Sequence, residues 1–354
     1  MIDWTKSMQQ TYEYFEVDPN TWGDKRKIDT VISSSVSFDL SSDTLATASI
    51  ELTENVGEMY IRIYLVATQD GDTYRFCLGT YLIQTPNLKF DGKVNKISAD
   101  AYSPLLELKE KYVPLGFSIN AGSYIMESVS DICREVTRAP VVASTSEKTM
   151  EGLYLSEVGD TYMKFLTDAL AVAEYRFDLD DTNRILFAPK QDNISLRPVK
   201  TFDDGNSSIL YSDISMEKDL YGIPNVVEVL YSSNSGYMYS RVENNEEGNP
   251  LSIEGRGREI VHRDSNPSFS ATPTQEVLNQ YAEQLLRNLS TIESKITYKH
   301  GYCPIRIGDS VRLNYSKAGV NEVIAKVTSQ KISCVPGCPV EETAVFSSSL
   351  YNVK

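Results

Sequence analysis

The sequence predicts a mainly β protein of the α+β class, on three observations. Apolar and polar residues alternate with period two through residues 28–104 and again after residue 304, each run broken by Gly or Asp-Gly. Between these blocks the apolar residues fall instead at helical spacing. No run approaches the roughly 18 consecutive apolar residues of a membrane-crossing helix.

Val31 to Leu40 alternates weakly and Ala46 to Leu52 well. Tyr60 to Ala67 is rich in β-branched and aromatic residues, as strands are. Gln69-Asp70-Gly71-Asp72 follows as a hairpin turn, because Asp-Gly tolerates the positive φ of a tight turn. Tyr74–Cys77, Thr80–Gln84 and Asn95–Tyr102 continue the sheet, and strands at this spacing suggest a barrel or a sandwich. The pattern changes at Pro104. Leu105 to Leu108 opens a helical turn, and Ser123 to Thr137 carries Ile125, Met126, Val129, Ile132, Cys133 and Val136 on one stripe. A second helix is expected over Asp160–Ala173, leading into a hairpin, Tyr175 to Phe187, that turns at Asp180–Asn183. This block has the character of a small α+β domain inserted after the first strands.

Residues 209–231 return to strand, ending in Asn225–Tyr231, and a polar stretch from Glu243 to Asn249 reads as a loop. Thr272 suits a helix N-cap, with Pro273 at the first helical position and Gln275 completing a capping box. Val277, Leu278, Tyr281, Ala282, Leu285, Leu286 and Leu289 then keep helical spacing. The last seventh of the chain is a meander of three alternating runs. Ile305, Ile307, Val311 and Leu313 form the first, interrupted at Gly308-Asp309. Val323 to Ile332 follows the Ala318-Gly319 turn, and Glu342 to Phe346 follows Pro336-Gly337. The expected division is residues 1–104 as a first strand-rich barrel, 105–200 as the inserted α+β domain, 201–232 with 297–354 as a second barrel, and 233–296 as a loop and helix insertion.

At 354 residues the chain exceeds the usual size of one core, so two to four domains are expected. Its 41% hydrophobic and 23% charged residues are ordinary for a globular protein. The net charge of −15 includes no cluster of Lys and Arg, so no nucleic-acid grip is expected. Negative charge serves solubility over most of the surface; it would also let DNA slide through a lined channel without sticking. Met1–Lys6 has no apolar signal segment, and the five cysteines are too few and scattered for a disulfide scaffold. Synthesis in a reducing cytosol follows as the expectation.

The inventory for catalysis is thin. Glycosidases need two carboxylates facing one cleft. Glu246-Glu247 and Glu341-Glu342 are adjacent pairs, which on a strand point to opposite faces, and a solvated surface is the expectation for them. His262 and His300 are the only histidines, and neither sits in a Gly-x-Ser-x-Gly context or beside a recognisable nucleophile. Asp178 to Asn183 has the flavour of a calcium loop but carries Asn183 where the loop glycine belongs and Pro189 where its glutamate belongs. Gly255-Arg256-Gly257-Arg258 is a short basic loop with acidic neighbours. His300 and Cys303 with Cys334 and Cys338 are two close pairs of zinc-type ligands, set against the reading of small core residues and a turn cysteine; a Cys334–Cys338 disulfide is also geometrically open. No cofactor is called for. Trp4 and Trp22 are expected to dock a neighbouring protein, and the 22 tyrosines suit barrels and interfaces alike.

Four stretches, taken in order, resemble the hub proteins of tailed-phage baseplates and contractile injection systems. They are Leu78–Pro86 followed by Ile97–Leu106; Thr161–Ala173 into Arg176–Asp180 and Ile185–Pro189; Pro224–Val229 with Asn249–Ser252 and Gly257-Arg258; and the Ile307–Leu313 meander. The resemblance covers most of residues 44–346. It implies two tube-like antiparallel β-barrels per subunit and a homotrimer whose six barrels present a pseudo-sixfold ring to the tail tube. Such a hub is a virion tail component made in the host cytoplasm. Its implied partners are tail tube protein, a spike or tip protein and a tape-measure protein in the central channel, without catalysis or sequence-specific nucleic-acid binding. No lytic or fibre segment follows the meander, so a separate tip protein is expected. The readings from other classes are a cell-wall (peptidoglycan) hydrolase of the tail tip and a carbohydrate-binding receptor protein, the latter calling for Tyr and Trp clustered on one exposed face.

Overall fold

The computed structural model describes residues 2–54, 56–90, 92, 95–190, 195, 197–205, 208–233, 236–265, 267–269 and 272–349. The chain divides into two compact units, residues 1–214 with 297–344 and residues 215–296 with 345–354. The architecture is mainly β, as expected, with five α-helices among the described residues.

The first unit opens with β1 (Gln9–Val17), β2 (Asp24–Lys27), β3 (Val31–Asp39), β4 (Ala46–Leu52), β5 (Tyr60–Gln69), β6 (Asp72–Phe90) and β7 (Asn95–Tyr102). A helical block follows: α1 (Leu106–Glu110), β8 (Ser118–Ile119), α2 (Ile125–Val136), β9 (Tyr154–Leu155) and α3 (Tyr162–Val172). The hairpin β10 (Tyr175–Leu179) and β11 (Ile185–Pro189) closes that block, and β12 (Lys200–Asp203) and β13 (Leu210–Lys218) come next. The second unit holds β14 (Val226–Ser233), β15 (Gly236–Glu243), α4 (Ile253–Arg256), β16 (Val261–Ser265) and α5 (Gln275–Leu289). The closing strands are β17 (Thr291–Gly301), β18 (Ser310–Tyr315), β19 (Val320–Ser333) and β20 (Pro339–Ser349); β13, β17 and β20 each run across the division.

The strands form one hydrogen-bonded path, β2-β1-β5-β6-β7-β4-β3-β19-β20-β17-β13, with β18 branching from β19 and β12 from β18. No pairing among the described residues closes either group of strands into a ring. The pivot is β19. Its first half pairs with β18 (Val311 opposite Ala325) and its second half with β3 (Val36 opposite Ile332), so the meander and the N-terminal strands are one sheet. Strand β1, absent from the sequence reading, pairs with the whole of β5.

Turn chemistry explains the hairpins. Asp70 and Gly71 both adopt positive φ (52° and 88°), the geometry that matches the twist of a two-residue hairpin. The expected pair of strands, Tyr74–Cys77 and Thr80–Gln84, is a single strand, β6. Gly79 (φ 119°) carries the chain through a register shift opposite Ile63 and Tyr64, and a Cβ there would lie 2.5 Å from the Tyr81 hydroxyl. Only Ser310 onward of the Pro304–Leu313 run is strand. Gly308 (φ 94°) donates to the Val327 carbonyl and turns the segment before it into an irregular wall.

The helical block packs as its periodicity requires. Ile125, Met126, Val129, Cys133 and Val136 of α2 are buried together with Phe165, Leu166, Ala169 and Leu170 of α3, whose N-cap Thr161 accepts from the Lys164 amide.

In the second unit, β15-β14-β16 form a three-stranded sheet with β14 and β15 antiparallel and β14 and β16 parallel. Leu278, Ala282 and Leu286 of α5 bury against Val227 and Val229. The cap of α5 is Thr274, not Thr272. Its hydroxyl accepts from the Val277 amide at 3.3 Å, which shifts the helix start past Pro273 to Gln275. Gly255-Arg256 likewise belongs to α4, a helical turn that ends at Gly257 (φ 64°). Buried Asn225 donates to the Arg258 carbonyl (2.9 Å) and accepts from the Ile260 amide (2.7 Å), while its own carbonyl accepts from Asn244. Asn249 and Ser252 tie the α4 turn by accepting from Leu251 and Gly255. The likeness at Pro224–Val229, Asn249–Ser252 and Gly257-Arg258 is thus one hydrogen-bonded corner.

Candidate functional site

The first unit contains a cavity of about 460 Å³. Phe38, Leu45, Phe76, Leu78 and Ile332 give it an apolar wall, Asp178 to Thr182 of the β10–β11 hairpin a polar one, and Tyr302 to Ile307 a third. Arg306 donates to the Leu179 carbonyl and lies 3.6 Å from Asp181, which fixes the irregular segment to the hairpin. Burial acts to raise the Asp180 carboxyl, but hydrogen bonds from Arg184 and Thr182 outweigh it and hold that group below its usual range. The apparent calcium loop is therefore an Asx turn: Asp180 accepts from Thr182 and Arg184, and Asn183 (φ 57°) supplies the left-handed residue. Burial pushes the Cys77 thiol on the cavity wall up to about 11, so it stays protonated and unreactive at neutral pH.

Behind Gln330, in the core, lies a cluster of ionisable groups. Glu342 and His300 are fully buried. Glu342 accepts from the Tyr298 hydroxyl and from the Gln330 amide (2.6 Å); the same amide reaches the Ile305 carbonyl at 3.2 Å. His300 Nδ1 donates to the Gly301 carbonyl (2.7 Å), and Nε2 lies 3.3 Å from a Glu342 oxygen without the alignment of a hydrogen bond. Phe202 packs on the imidazole, with ring centroids 4.6 Å apart. Burial opposes charge on His300, but Cys303 and Glu342 outweigh it and hold the imidazole up at about 10. At neutral pH His300 is therefore an imidazolium, 3.3 Å from Glu342.

The sequence-predicted residues separate. Cys303 Sγ lies 3.9 Å from His300 Nδ1, whereas Cys334 and Cys338 belong to a different neighbourhood, beside Ser34 and Tyr12. Burial pushes Cys334 up to about 12 and Cys338 to about 11, and all five cysteines are free thiols. Among the described residues no group of three or more His, Cys, Asp or Glu is placed to hold a metal ion. His262 is exposed on β16, opposite Val227. The docking role expected of the tryptophans is overturned for Trp22: it is buried on Tyr60, and its indole donates to the Thr182 carbonyl. Trp4 packs on Phe76 and Tyr302 of its own unit. Exposed Tyr237 and Tyr239 lie on one face of β15, without a tryptophan.

The surface expectation for Glu341-Glu342 is half wrong. Glu341 faces outward to Lys299, but Glu342 sits between buried Val340 and Ala344, in phase with the core. On β17 the inward set Ile296, Tyr298 and His300 carries the partner groups. A charged residue at an inward position on each of two strands was the signal in the sequence.

Comparison with known proteins follows from this geometry. A tail protein from Neisseria meningitidis MC58 superimposes with a TM-score of 0.60 over 95% of this chain and 96% of its own, at 11% identity. The 43 kDa tail protein of prophage MuSo2 from Shewanella oneidensis gives 0.61 over 95% and 98%, at 12% identity. This chain has the fold of these tail proteins. No protein-family model and no curated protein matches its sequence. The shared fold spans this chain and each of the two almost end to end.

Proposed function

We propose that the chain is a structural component of a phage-type tail, the hub that joins the tail tube to a cell-puncturing tip. The observation that carries this reading is the end-to-end likeness to the prophage MuSo2 tail protein, 95% of one chain and 98% of the other. In this reading the strand-rich parts, residues 1–104 and residues 201–232 with 297–354, act as two tube-like barrels. Three subunits form a ring against the hexameric tube, the tip protein binds the opposite end, and the channel passes tape-measure protein or DNA. Among the described residues β2 and β13 end the strand path, which supports subunit closure, since an unpaired edge is a template for another strand. A non-enzymatic role is supported by His300, Cys303 and Glu342 facing one another inside the core. The test is electron microscopy of particles and native mass measurement of the purified chain. Threefold density directly below the tube and a trimer are expected. A monomer that digests peptidoglycan, with activity lost on changing one Asp or Glu, would replace the hub with the hydrolase reading.

A further inference from the structure

In the helical block of the first unit, residues 111–119 and 154–162 run antiparallel. Tyr112 bridges Thr161, and Ser118 and Ile119 pair with Leu155 and Tyr154. Between these pairs the ladder opens into two facing four-residue turns of the same kind. Val113 donates to the Asp160 carbonyl on one side of the opening and Ser156 to the Phe117 carbonyl on the other. Phe117 closes the first turn on the Pro114 carbonyl and Asp160 closes the second on the Glu157 carbonyl. Gly116 (φ 78°) and Gly159 (φ 92°) occupy the third positions, where the left-handed backbone requires glycine. The second positions, Leu115 and Val158, are displayed to solvent at 83% and 88% exposure.

A turn needs no large apolar residue at that position for its own stability. Two such residues occupy facing turns of one ribbon, and Tyr112, Leu153 and Leu155 on or beside the same two strands are exposed as well. A group of exposed apolar residues on one ribbon, with charged residues about it, points to a site of association. The rim states the charge of what associates. Lys164 is shared among Glu157 (3.9 Å), Asp160 (3.1 Å) and Asp168 (3.2 Å), one cation for three carboxylates. Lys111 donates inward to the Val136 carbonyl, and exposed Glu110 and Glu151 flank the two strands. A second copy of this patch would set acid against acid, and an anionic lipid surface would be repelled likewise.

We propose that the Leu115–Val158 turn pair is a docking site for a segment of another protein that presents apolar side chains flanked by Lys or Arg. The apolar groups seat on the two turn tips, and the flanking cations meet Glu110, Glu151 and Glu157. The proposal does not depend on the tail reading, because its test uses the isolated full chain. The probes are a labelled synthetic peptide alternating Leu with Lys and its counterpart alternating Leu with Glu, followed by fluorescence anisotropy. The Lys peptide is expected to bind and to weaken with added salt. Leu115→Ser with Val158→Ser, which keeps the net charge, is expected to weaken it about tenfold or more, as removal of central anchors does. A second variant, Glu151→Lys with Glu157→Lys, is expected to reject the Lys peptide and admit the Glu peptide. Equal binding of both peptides by the wild type, no binding of either, or wild-type affinity in the double serine variant would each overturn the proposal. So would an oligomer in sedimentation that the serine variant dissociates, which would make a second copy the occupant.

Discussion

Two glutamates, one in each unit, collect donors in similar numbers and in opposite surroundings. Glu342 of the first unit accepts from the Tyr298 hydroxyl and the Gln330 amide, with the His300 imidazolium 3.3 Å away, all within the core. Glu228 of the second unit takes Arg241 and Arg263, each at 2.7 Å, on the face of the β15-β14-β16 sheet away from α5; Glu228 is 16% exposed, Arg241 28% and Arg263 76%. On ion-pair distance alone the second set looks stronger, 2.7 Å against 3.3 Å. The physics ranks them the other way. Water already solvates the Glu228 network in the unfolded chain and competes with it in the folded one, so little is gained. Glu342 and His300 have given up that solvation, so removal of Glu342 strands the His300 charge in the core. Geometry shows who touches whom; burial decides what the contact is worth.

The largest expected effect is therefore at Glu342. Glu342→Ala leaves the His300 charge without its neighbour and the Tyr298 hydroxyl without its acceptor, while the Gln330 amide keeps only the Ile305 carbonyl. A loss of about 3–5 kcal/mol is expected, as for one partner of a buried pair. Denaturant midpoints followed by near-ultraviolet circular dichroism would measure it. A loss near that of a surface carboxylate would mean that water reaches the cluster and that the contrast with Glu228 is false.

The same cluster makes a pH prediction with a definite sign. Folding raises the His300 pKa from 6.5 to about 10, so the folded state binds the proton more tightly than the unfolded state. The stabilisation is complete below about pH 6.5 and is lost as pH rises through about 10. Buried tyrosines and cysteines titrate in the alkaline range as well, so the informative quantity is a difference. The stability gap between wild type and His300→Gln should be widest near pH 6 and narrow toward pH 10.5. A gap independent of pH would show that His300 is neutral throughout, held by its Gly301 hydrogen bond alone.

How much of this was legible in the sequence depends on range. Local chemistry was: the Asp70-Gly71 hairpin, the apolar stripes of α2 and α3 and the β10–β11 turn are all set by residues a few positions apart. Strand β1 was missed because Gln9 to Val17 alternates poorly, and its place comes from pairing with β5, some fifty residues on. The division of β19 between β18 and β3 is likewise non-local, so the sequence showed a meander but not that it joins the N-terminal strands. Choosing Thr272 over Thr274 as the cap was a two-residue error between equivalent hydroxyls beside one proline. The buried pair was half-visible. Alternation places Glu342 and His300 inward, but only the fold shows that their strands bring them to one point.

Asn225 provides an intermediate case, buried like Glu342 yet uncharged. Its amide spans the Arg258 carbonyl and the Ile260 amide, so Asn225→Ala strands one acceptor and one donor. The expected cost is about 1–3 kcal/mol, the desolvation of groups left without partners. It should fall on the second unit alone, read as faster hydrogen exchange at Ile260 and across β16, with β1 to β7 unchanged. Uniform acceleration across both units would mean that they unfold as one body.

The smallest effect is expected at the Glu228 network, although its ion pairs are shorter than the His300–Glu342 approach. Hydrogen bonds from Arg263 and then Arg241 hold the Glu228 carboxyl below its usual range, so the group is ionised at any ordinary pH and titrates only in acid. Glu228→Gln keeps the shape and one acceptor oxygen and removes the charge, while Arg241 retains Glu243 and Glu259. No resolvable change in the denaturant midpoint is expected at physiological salt, and at low salt only a slight loss, because screening already weakens exposed pairs. A loss comparable to that of Glu342→Ala would require the Glu228 face of the sheet to be covered. That result, seen in an oligomeric but not a monomeric preparation, would place Glu228 in a subunit contact and move it from the solvated side of the comparison to the buried one.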